Sequence, residues 1–152
     1  MTEFVYPVRC EWADCDPAGI WYYPTLFRWI DSAVHHLMHE IGVQPEVLAD
    51  AGGEFGLPVV EAYARFLAPA RYYDAAEVRG VVTELGARRF RLAYRVVRPR
   101  PEGEPELLAT AYEVRVCVTK DGRGGIRARE LPAKVRTGLM PFLAPEGSAP
   151  NG

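Results

Sequence analysis

Residues 11–24, EWADCDPAGIWYYP, separate a predicted strand from a predicted helix and hold two acids, Asp14 and Asp16, beside Gly19 and a run of aromatic residues. An acid in such a loop can reach a group held at the start of the helix. The backbone N–H groups there have no acceptor within the helix and can polarise a carbonyl. The segment therefore predicts a strand–loop–helix unit that carries parts of a carbonyl-attacking site.

A long amphipathic helix is predicted to follow, from Pro24 to Ile41. Pro24 suits its first turn, where the missing N–H costs nothing, and Gly42 suits the position just past its end. Apolar residues recur at spacings of three and four and form one wide face. This face consists of Leu26, Ile30, Ala33, Val34, Leu37, Met38 and Ile41.

Strand patterns surround this helix. Residues 4–13 are predicted to be a strand, because Val8, Cys10 and Trp12 alternate with Arg9 and Glu11, and further strand-like runs follow the helix. The later runs are residues 57–67, 77–84, 89–98, 108–118 and 126–131. Turns rich in Pro or Gly at 99–105 and 120–125 suit antiparallel hairpins. This order predicts an α+β protein with an antiparallel sheet and one main helix on its face.

Two of the strand patterns are especially regular. In residues 89–98, apolar side chains alternate with the arginines Arg89, Arg91 and Arg95. In residues 108–118, a second apolar series recurs at every other position. The first apolar series is Phe90, Leu92, Tyr94 and Val96, and the second is Leu108, Thr110, Tyr112, Val114, Val116 and Val118.

The remaining segments are short. Residues 45–53 and 132–143 are each expected to form a short helix, and residues 144–152, rich in Pro, Gly and Ser, are expected to be a disordered tail. The chain has 152 residues, which predicts a single domain over residues 1–143. An antiparallel sheet covered by one helix leaves strand edges that homo-oligomerisation could cover.

Composition narrows the classes of function. The chain is 49% hydrophobic and 25% charged with a net charge of -2, which gives no reason to expect nucleic-acid or membrane binding. The N-terminus lacks the features of a signal peptide and no apolar run is long enough to cross a membrane, so a cytoplasmic location is expected. Three cysteines without metal spacing predict neither a disulfide framework nor a zinc site.

Three histidines on the predicted helix raise the question of a metal site. His35 and His39 share a helix face, with His36 beside them. No HExxH pattern and no obvious third ligand accompany them. We therefore expect solvated or interface histidines and no metal.

Residues 8–42 resemble the 4-hydroxybenzoyl-CoA thioesterase family of hot-dog proteins. The specific parts are the run DCDPAGI at residues 14–20 and the run RWID at residues 28–31. The resemblance implies a hot-dog fold, in which an antiparallel sheet wraps around one long central helix. It also implies dimers paired into a homotetramer, active sites at the subunit interface, and acyl-CoA hydrolysis without metal or organic cofactor.

The resemblance makes Asp16 the catalytic acid and the backbone N–H of Tyr23 the carbonyl-polarising group. A thiolate leaves readily, so a thioester mainly needs a nucleophile or base and a stabilised oxyanion. Asp16 could attack the carbonyl to give an anhydride, or it could deprotonate water. Gly19 would let the loop pass close to the substrate. From spacing alone, Asp16 could equally be a turn or cap residue, as we expect for Asp14.

Substrate contacts are less specific. In the resembling family an acid at the place of Asp31 can contact a ring hydroxyl, but Asp31 could also be a surface acid facing Arg28 or His35. Aromatic side chains could wall an acyl pocket or simply pack in the core or an interface. These are Trp21, Tyr22 and Trp29.

Coenzyme A carries phosphates, so a basic cluster is expected. The best candidates are Arg88, Arg89 and Arg91, and a second pair is Arg127 and Arg129. A solvated strand face would explain the first cluster equally well.

Together these features predict an enzyme that hydrolyses an aromatic acyl-CoA thioester, such as a benzoyl or hydroxybenzoyl ester. The alternatives are a thioesterase for short aliphatic acyl-CoA or acyl-carrier-protein, and a non-catalytic acyl-CoA-binding module. A hydratase on the same fold would need a His partner for the acid, and none stands in a matching place.

Overall fold

One antiparallel sheet and one long helix dominate the computed structural model, which describes residues 2–43 and 55–145. The strands are β1 (Phe4–Arg9), β2 (Phe55–Gly56), β3 (Val59–Phe66), β4 (Ala75–Leu85), β5 (Arg89–Arg98), β6 (Glu106–Val116), β7 (Val118–Lys120) and β8 (Ile126–Ala128). The helices are α1 (Tyr23–Glu40) and α2 (Ala133–Leu139), with short 3-10 turns at Trp12–Asp14 and Met140–Phe142.

The main sheet has five strands in the order β1-β4-β5-β6-β3. Each neighbouring pair is antiparallel, which confirms the predicted α+β class. A second, three-stranded sheet in the order β2-β7-β8 adds to the single sheet that the sequence predicts. Strands β1 and β3 are the two edges of the main sheet, and β3 is exposed along almost its whole length.

Helix α1 buries its apolar face against the sheet, as predicted. All of the predicted apolar face is buried except Ile41, which is half-buried at the end of the helix. The apolar series of β5 is also fully buried and belongs to the same core. Gly42 has φ +73°, a left-handed conformation that favours glycine and ends the helix.

The first predicted strand is too long. Residues 4–13 were expected to be extended, but β1 ends at Arg9 and the chain turns through Trp12–Asp14. The backbone N–H of Glu11 donates to Asp14 Oδ2 at 2.8 Å, which closes this turn. Trp12, expected to share the apolar strand face, is instead 77% exposed.

Other boundaries differ by a few residues. The strand predicted at 57–67 begins two residues later and ends one residue earlier, as β3 (Val59–Phe66). The strand predicted at 108–118 is divided at Cys117, and the strand predicted at 126–131 ends at Ala128. Ala144 was expected to begin the disordered tail, but it is buried and its N–H donates to Val82 O at 2.8 Å. The helix predicted at 45–53 and the rest of the tail, residues 146–152, lie outside the described residues.

Towards its C-terminal end the inward face of β6 is polar, and it consists of the residues that alternate with the predicted apolar series. Glu113 and Arg115 are buried, whereas Tyr112, Val114 and Val116 are only partly buried. Arg115 Nε donates to Glu113 Oε1 at 2.7 Å, and the fully buried Tyr94 donates its hydroxyl to the same oxygen at 3.0 Å. Burial is the main cause that raises the pKa of Tyr94, followed by the charge of Glu113. Because Glu113 and Arg115 pair with each other, their opposite charges can be buried together, which allows this face of β6 to point into the core.

We expect Tyr94→Phe to destabilise the protein, because it removes a buried donor from Glu113. The free energy of unfolding should fall by about 1–3 kcal/mol in urea denaturation. Tyr112→Phe is the matched control, since its hydroxyl also donates to a glutamate, Glu61, but at an exposed position. That control should change stability by about 0.5 kcal/mol or less. Equal losses in both variants would contradict the buried role of Tyr94.

Candidate active site

The loop between β1 and α1 is held by Asp14, which is buried. Its carboxylate accepts the N–H of Glu11 and forms an ion pair with Arg28 on α1. Its backbone carbonyl accepts the N–H of Tyr22 at 2.7 Å and the hydroxyl of Thr25 at 3.0 Å. Asp14 therefore joins the end of the first strand to the start of the helix, which is the structural role expected of it.

Asp16 lies in the next turn of this loop and is half-buried. Its Oδ1 accepts the N–H of Ala18 at 2.8 Å, and its backbone N–H donates to Ile20 O at 2.9 Å. Gly19 closes the turn with φ +75°, and no atom lies within 4 Å of the Cβ that another residue would carry. In this chain the need for glycine is therefore conformational.

Asp16 and Tyr23 line the same open groove, which has a volume of about 610 Å³. Tyr23 is the first residue of α1, so its N–H has no acceptor within the helix. The groove continues along the end of β3 and the segment after it. Its lining consists of Asp16, Ile20, Trp21, Tyr23, Phe66, Leu67, Ala68, Pro69 and Arg71.

The three predicted pocket aromatics take different places. Trp21 lines the groove and packs edge-on against Phe66, with ring centroids 5.5 Å apart. Trp29 lies in the core behind Trp21 and borders a separate groove on the side of β1. Tyr22 is half exposed and packs edge-on against Tyr23 outside the groove lining. Only Trp21 is therefore placed beside Asp16 in one chain.

Asp31 lies further along α1, with 57% of its side chain exposed. Its Oδ1 accepts a hydrogen bond from Arg115 Nη2 at 2.9 Å, and its Oδ2 lies 3.5 Å from His35 Nδ1. Arg28, the other expected partner, is paired with Asp14 instead. The sequence analysis did not identify Arg115 as a partner of Asp31. The signal that could have found it was the pair of opposite charges, Glu113 and Arg115, within a predicted strand.

The predicted basic residues gather at the opposite end of the sheet from the groove. The Cys117 N–H donates to Arg88 O and the Arg129 N–H donates to Cys117 O, so the two predicted clusters meet at Cys117. Arg91 instead lies over the ring of Tyr112, with its guanidinium carbon 3.9 Å from the ring centroid.

Strand register gives the distance between the two ends. Phe66 in the groove pairs with Ala109, and Ala109 pairs with Val96 of β5. Arg89 lies seven residues before Val96 on that strand, about 24 Å away at roughly 3.4 Å per residue. One chain therefore does not bring these arginines together with Asp16.

Two of the three histidines on α1 have protein partners. His35 contacts Asp31, and the ring of His36 packs on that of Tyr6 with centroids 4.5 Å apart. Among residues 2–43 and 55–145, no three His, Cys, Asp or Glu side chains are grouped so as to hold a metal ion. In the same residues, no helix has the length and apolar character needed to cross a membrane.

Comparison with known families identifies the class of protein to which the chain belongs. Residues 10–139 match the family model of the thioesterase-like superfamily. The chain therefore belongs to this superfamily, which confirms the predicted hot-dog fold and the predicted class of thioester hydrolase.

Individual relatives are similar over most of their length. A 4-hydroxybenzoyl-CoA thioesterase from Pseudomonas sp. (strain CBS-3) is 34% identical over 127 residues, covering 82% of this chain and 89% of the relative. A 1,4-dihydroxy-2-naphthoyl-CoA hydrolase from Synechocystis sp. (strain ATCC 27184 / PCC 6803 / Kazusa) is 29% identical over 126 residues, covering 78% and 83%. The crystal structure of a mutant 4-hydroxybenzoyl-CoA thioesterase complexed with 4-hydroxybenzoyl-CoA has a TM-score of 0.81 and 31% identity, covering 90% of this chain and 98% of that chain.

We expect Cys15, beside Asp16, to be alkylated first among the three cysteines. Cys15 is partly exposed, whereas Cys10 and Cys117 are fully buried. Burial, and secondly the hydrogen bond with Cys15, raises the pKa of Cys10 to about 12, and burial raises the pKa of Cys117. Because the thiolate is the reactive form, both buried thiols should react at least about 100-fold more slowly with iodoacetamide at pH 8.

Peptide mass mapping over time measures these rates. Concentrated guanidinium chloride is the control, because unfolding should make the three rates similar. Equal rates in the native protein would contradict the burial of Cys10 and Cys117.

Proposed function

We propose that this protein hydrolyses an aromatic acyl-CoA thioester, with Asp16 as nucleophile or general base and the Tyr23 N–H as the group that polarises the carbonyl. The observation that carries this proposal is the shared groove, which brings both residues together with Trp21. The names of the two relatives, a hydroxybenzoyl-CoA thioesterase and a dihydroxynaphthoyl-CoA hydrolase, support an aromatic acyl group.

The loop geometry suits this chemistry. The Ala18 N–H binds Asp16 Oδ1 and so orients the carboxylate. Asp16 either attacks the thioester carbon or removes a proton from an attacking water. In both routes the carbonyl oxygen becomes an oxyanion that accepts a hydrogen bond from Tyr23, a type of contact worth about 2.7–4 kcal/mol in the transition state. Collapse of the tetrahedral intermediate then expels CoA as a thiolate. In the general-base route this step leaves the free acid, whereas in the nucleophilic route it leaves an anhydride between the acyl group and Asp16, which a water then hydrolyses to the acid and the free carboxylate.

A second copy of the chain would complete this site. The groove lies at the Phe66 end of β3, and the basic residues around Cys117 lie at the other end, where Val59 pairs with Arg115. If two β3 edges pair in antiparallel fashion about a two-fold axis, the basic end of each chain meets the groove end of the other. We therefore propose that Arg88, Arg89 and Arg129 bind the phosphates of a CoA whose thioester lies in the groove of the neighbouring subunit.

The exposure of β3 supports this pairing. An unpaired edge strand with apolar side chains is a template for association. Val59, Val60, Tyr63 and Phe66 are each between 42% and 60% exposed. Two such dimers would form the homotetramer that the resemblance implies.

We expect Asp16→Asn to lower kcat by at least about 100-fold, because it removes the nucleophile or base. Release of CoA from benzoyl-CoA and 4-hydroxybenzoyl-CoA, followed with a thiol reagent, measures the effect. Asp121→Asn is the matched control, since Asp121 Oδ1 also accepts a backbone N–H two residues later, at 2.8 Å. Circular dichroism should show both variants folded. Full turnover by Asp16→Asn would rule out the catalytic role.

We expect Val60→Asp to shift the protein towards monomers, because it places a charge on the exposed edge strand. Light scattering coupled to size exclusion measures the mass. Ile126→Asp is the control, as Ile126 is 69% exposed but lies on β8. Ile126→Asp should leave the mass unchanged. Val60→Asp should reduce turnover as well as mass, because the proposed site needs both chains. An unchanged mass for Val60→Asp would contradict pairing through β3.

A further inference from the structure

Two of the three cysteines meet at the base of the loop that carries Asp16. The Sγ atoms of Cys10 and Cys15 lie 3.7 Å apart. Cys10 is fully buried just after β1, whereas Cys15 is partly exposed and immediately precedes Asp16. The proposed hydrolysis uses neither thiol. Because a disulfide bond is about 2.0 Å long, the two sulfurs need to approach each other by only about 1.7 Å to form one.

The backbones of the two cysteines are held differently. Cys10 is fixed beside the sheet, because its N–H donates to Asp74 O at 2.9 Å and its carbonyl accepts the Tyr73 N–H at 2.7 Å. Cys15 lies in the loop, where its N–H makes a longer hydrogen bond of 3.2 Å to Trp12 O. Cys15 must therefore make most of the approach, and its backbone must move towards Cys10.

Movement of Cys15 acts directly on the proposed catalytic group, because Asp16 is the next residue. The turn that orients Asp16 depends on two short hydrogen bonds, from its N–H to Ile20 O and from the Ala18 N–H to its carboxylate. A displacement of a catalytic group by about 1 Å can lower a rate by about 100-fold. Closing the cysteine pair would therefore move the Asp16 carboxylate away from its position beside the Tyr23 N–H.

We propose that Cys10 and Cys15 form a reversible disulfide when the protein meets a peroxide, and that this disulfide lowers turnover at the Asp16 site. The effect on turnover rests on the proposed function, whereas formation of the disulfide does not.

The reaction balances in two steps. Burial raises the pKa of Cys10 to about 12, so the exposed Cys15 is the thiol that reacts first. Its thiolate attacks one oxygen of hydrogen peroxide, the O–O bond breaks, and a sulfenic acid forms while the other oxygen leaves as water. Cys10 then attacks the Cys15 sulfur, and the sulfenic oxygen leaves as a second water with the Cys10 proton. The two sulfurs lose two electrons in all, and the peroxide gains them.

Mass spectrometry tests whether the disulfide forms. Trypsin releases residues 10–28 as one peptide that contains both cysteines. We expect hydrogen peroxide treatment of the native protein, followed by alkylation in guanidinium chloride, to leave this peptide without alkyl groups and lighter by about 2 Da, the mass of two hydrogens. Dithiothreitol should restore both thiols by exchange at the exposed Cys15 sulfur. The peptide that contains Cys117 should still be alkylated.

Turnover of 4-hydroxybenzoyl-CoA tests the effect on the site. The same peroxide dose should lower wild-type turnover by at least about 10-fold, in proportion to the disulfide formed, and dithiothreitol should restore it. Cys10→Ala leaves Cys15 without its partner, so this variant should keep most of its turnover at that dose. Cys117→Ala is the matched control, because Cys117 is equally buried but lies beside Arg88 and Arg129 at the other end of the sheet. It should respond as the wild type does. If Cys10→Ala does not fold, Cys10→Val provides the same comparison.

The outcomes separate the two proposals. Wild-type protein that hydrolyses neither benzoyl-CoA nor 4-hydroxybenzoyl-CoA before oxidation would overturn the proposed function, and the mass of the peptide would still test the disulfide. An unchanged mass of the 10–28 peptide would overturn this inference alone. Equal inactivation of wild type and Cys10→Ala, or a disulfide that leaves turnover unchanged, would also overturn it, because the closed pair would then not be what controls Asp16.

Discussion

The geometry of the candidate site depends on the buried carboxylate of Asp14. A carboxylate removed from water is costly unless charges and hydrogen bonds compensate it. Here Arg28 and the Glu11 N–H compensate it, and the backbone of the same residue binds Tyr22 and Thr25. One residue therefore fixes both where β1 stops and where α1 starts, and the turn that carries Asp16 lies between these two points.

This dependence explains why two acids occur so close together with different surroundings. Asp14 is buried and fully used in holding the loop, whereas Asp16 is half-buried and borders an open groove. The first gives the loop its shape and the second is available to a ligand. The groove itself opens at the β3 edge, so the same unpaired edge that favours association also borders the proposed chemistry.

Local patterns predicted most of the fold. Strand β5 has the bounds predicted from its alternation, and the apolar face and glycine stop of α1 are confirmed, because each depends on residues close together in sequence. The shared groove of Asp16 and Tyr23 also follows from a short loop. The two charged residues on the inward face of β6 could not be predicted, because Glu113 is compatible with the core only through Arg115 and Tyr94, and Tyr94 lies on another strand.

The distance between the groove and the basic cluster was equally hidden, since it depends on strand register across three strands. Arg88 and Arg89 were candidates for binding phosphates because they cluster at the start of a strand. Their position in the sequence does not show which chain's groove they lie near. A single chain separates them from Asp16 by the length of the sheet. Under the proposed assignment, the need for a second chain is therefore a consequence of topology.

Backbone geometry dominates the carbonyl end of the proposed acyl site. A helix start, a glycine turn and the Ala18 N–H supply or orient the reacting groups there. The rest of the groove is lined by side chains, among them Trp21 and Phe66. Side chains can be exchanged without rebuilding the loop. Under the proposed assignment, substitutions along this lining would change which acyl group is preferred and leave the hydrolytic chemistry in place.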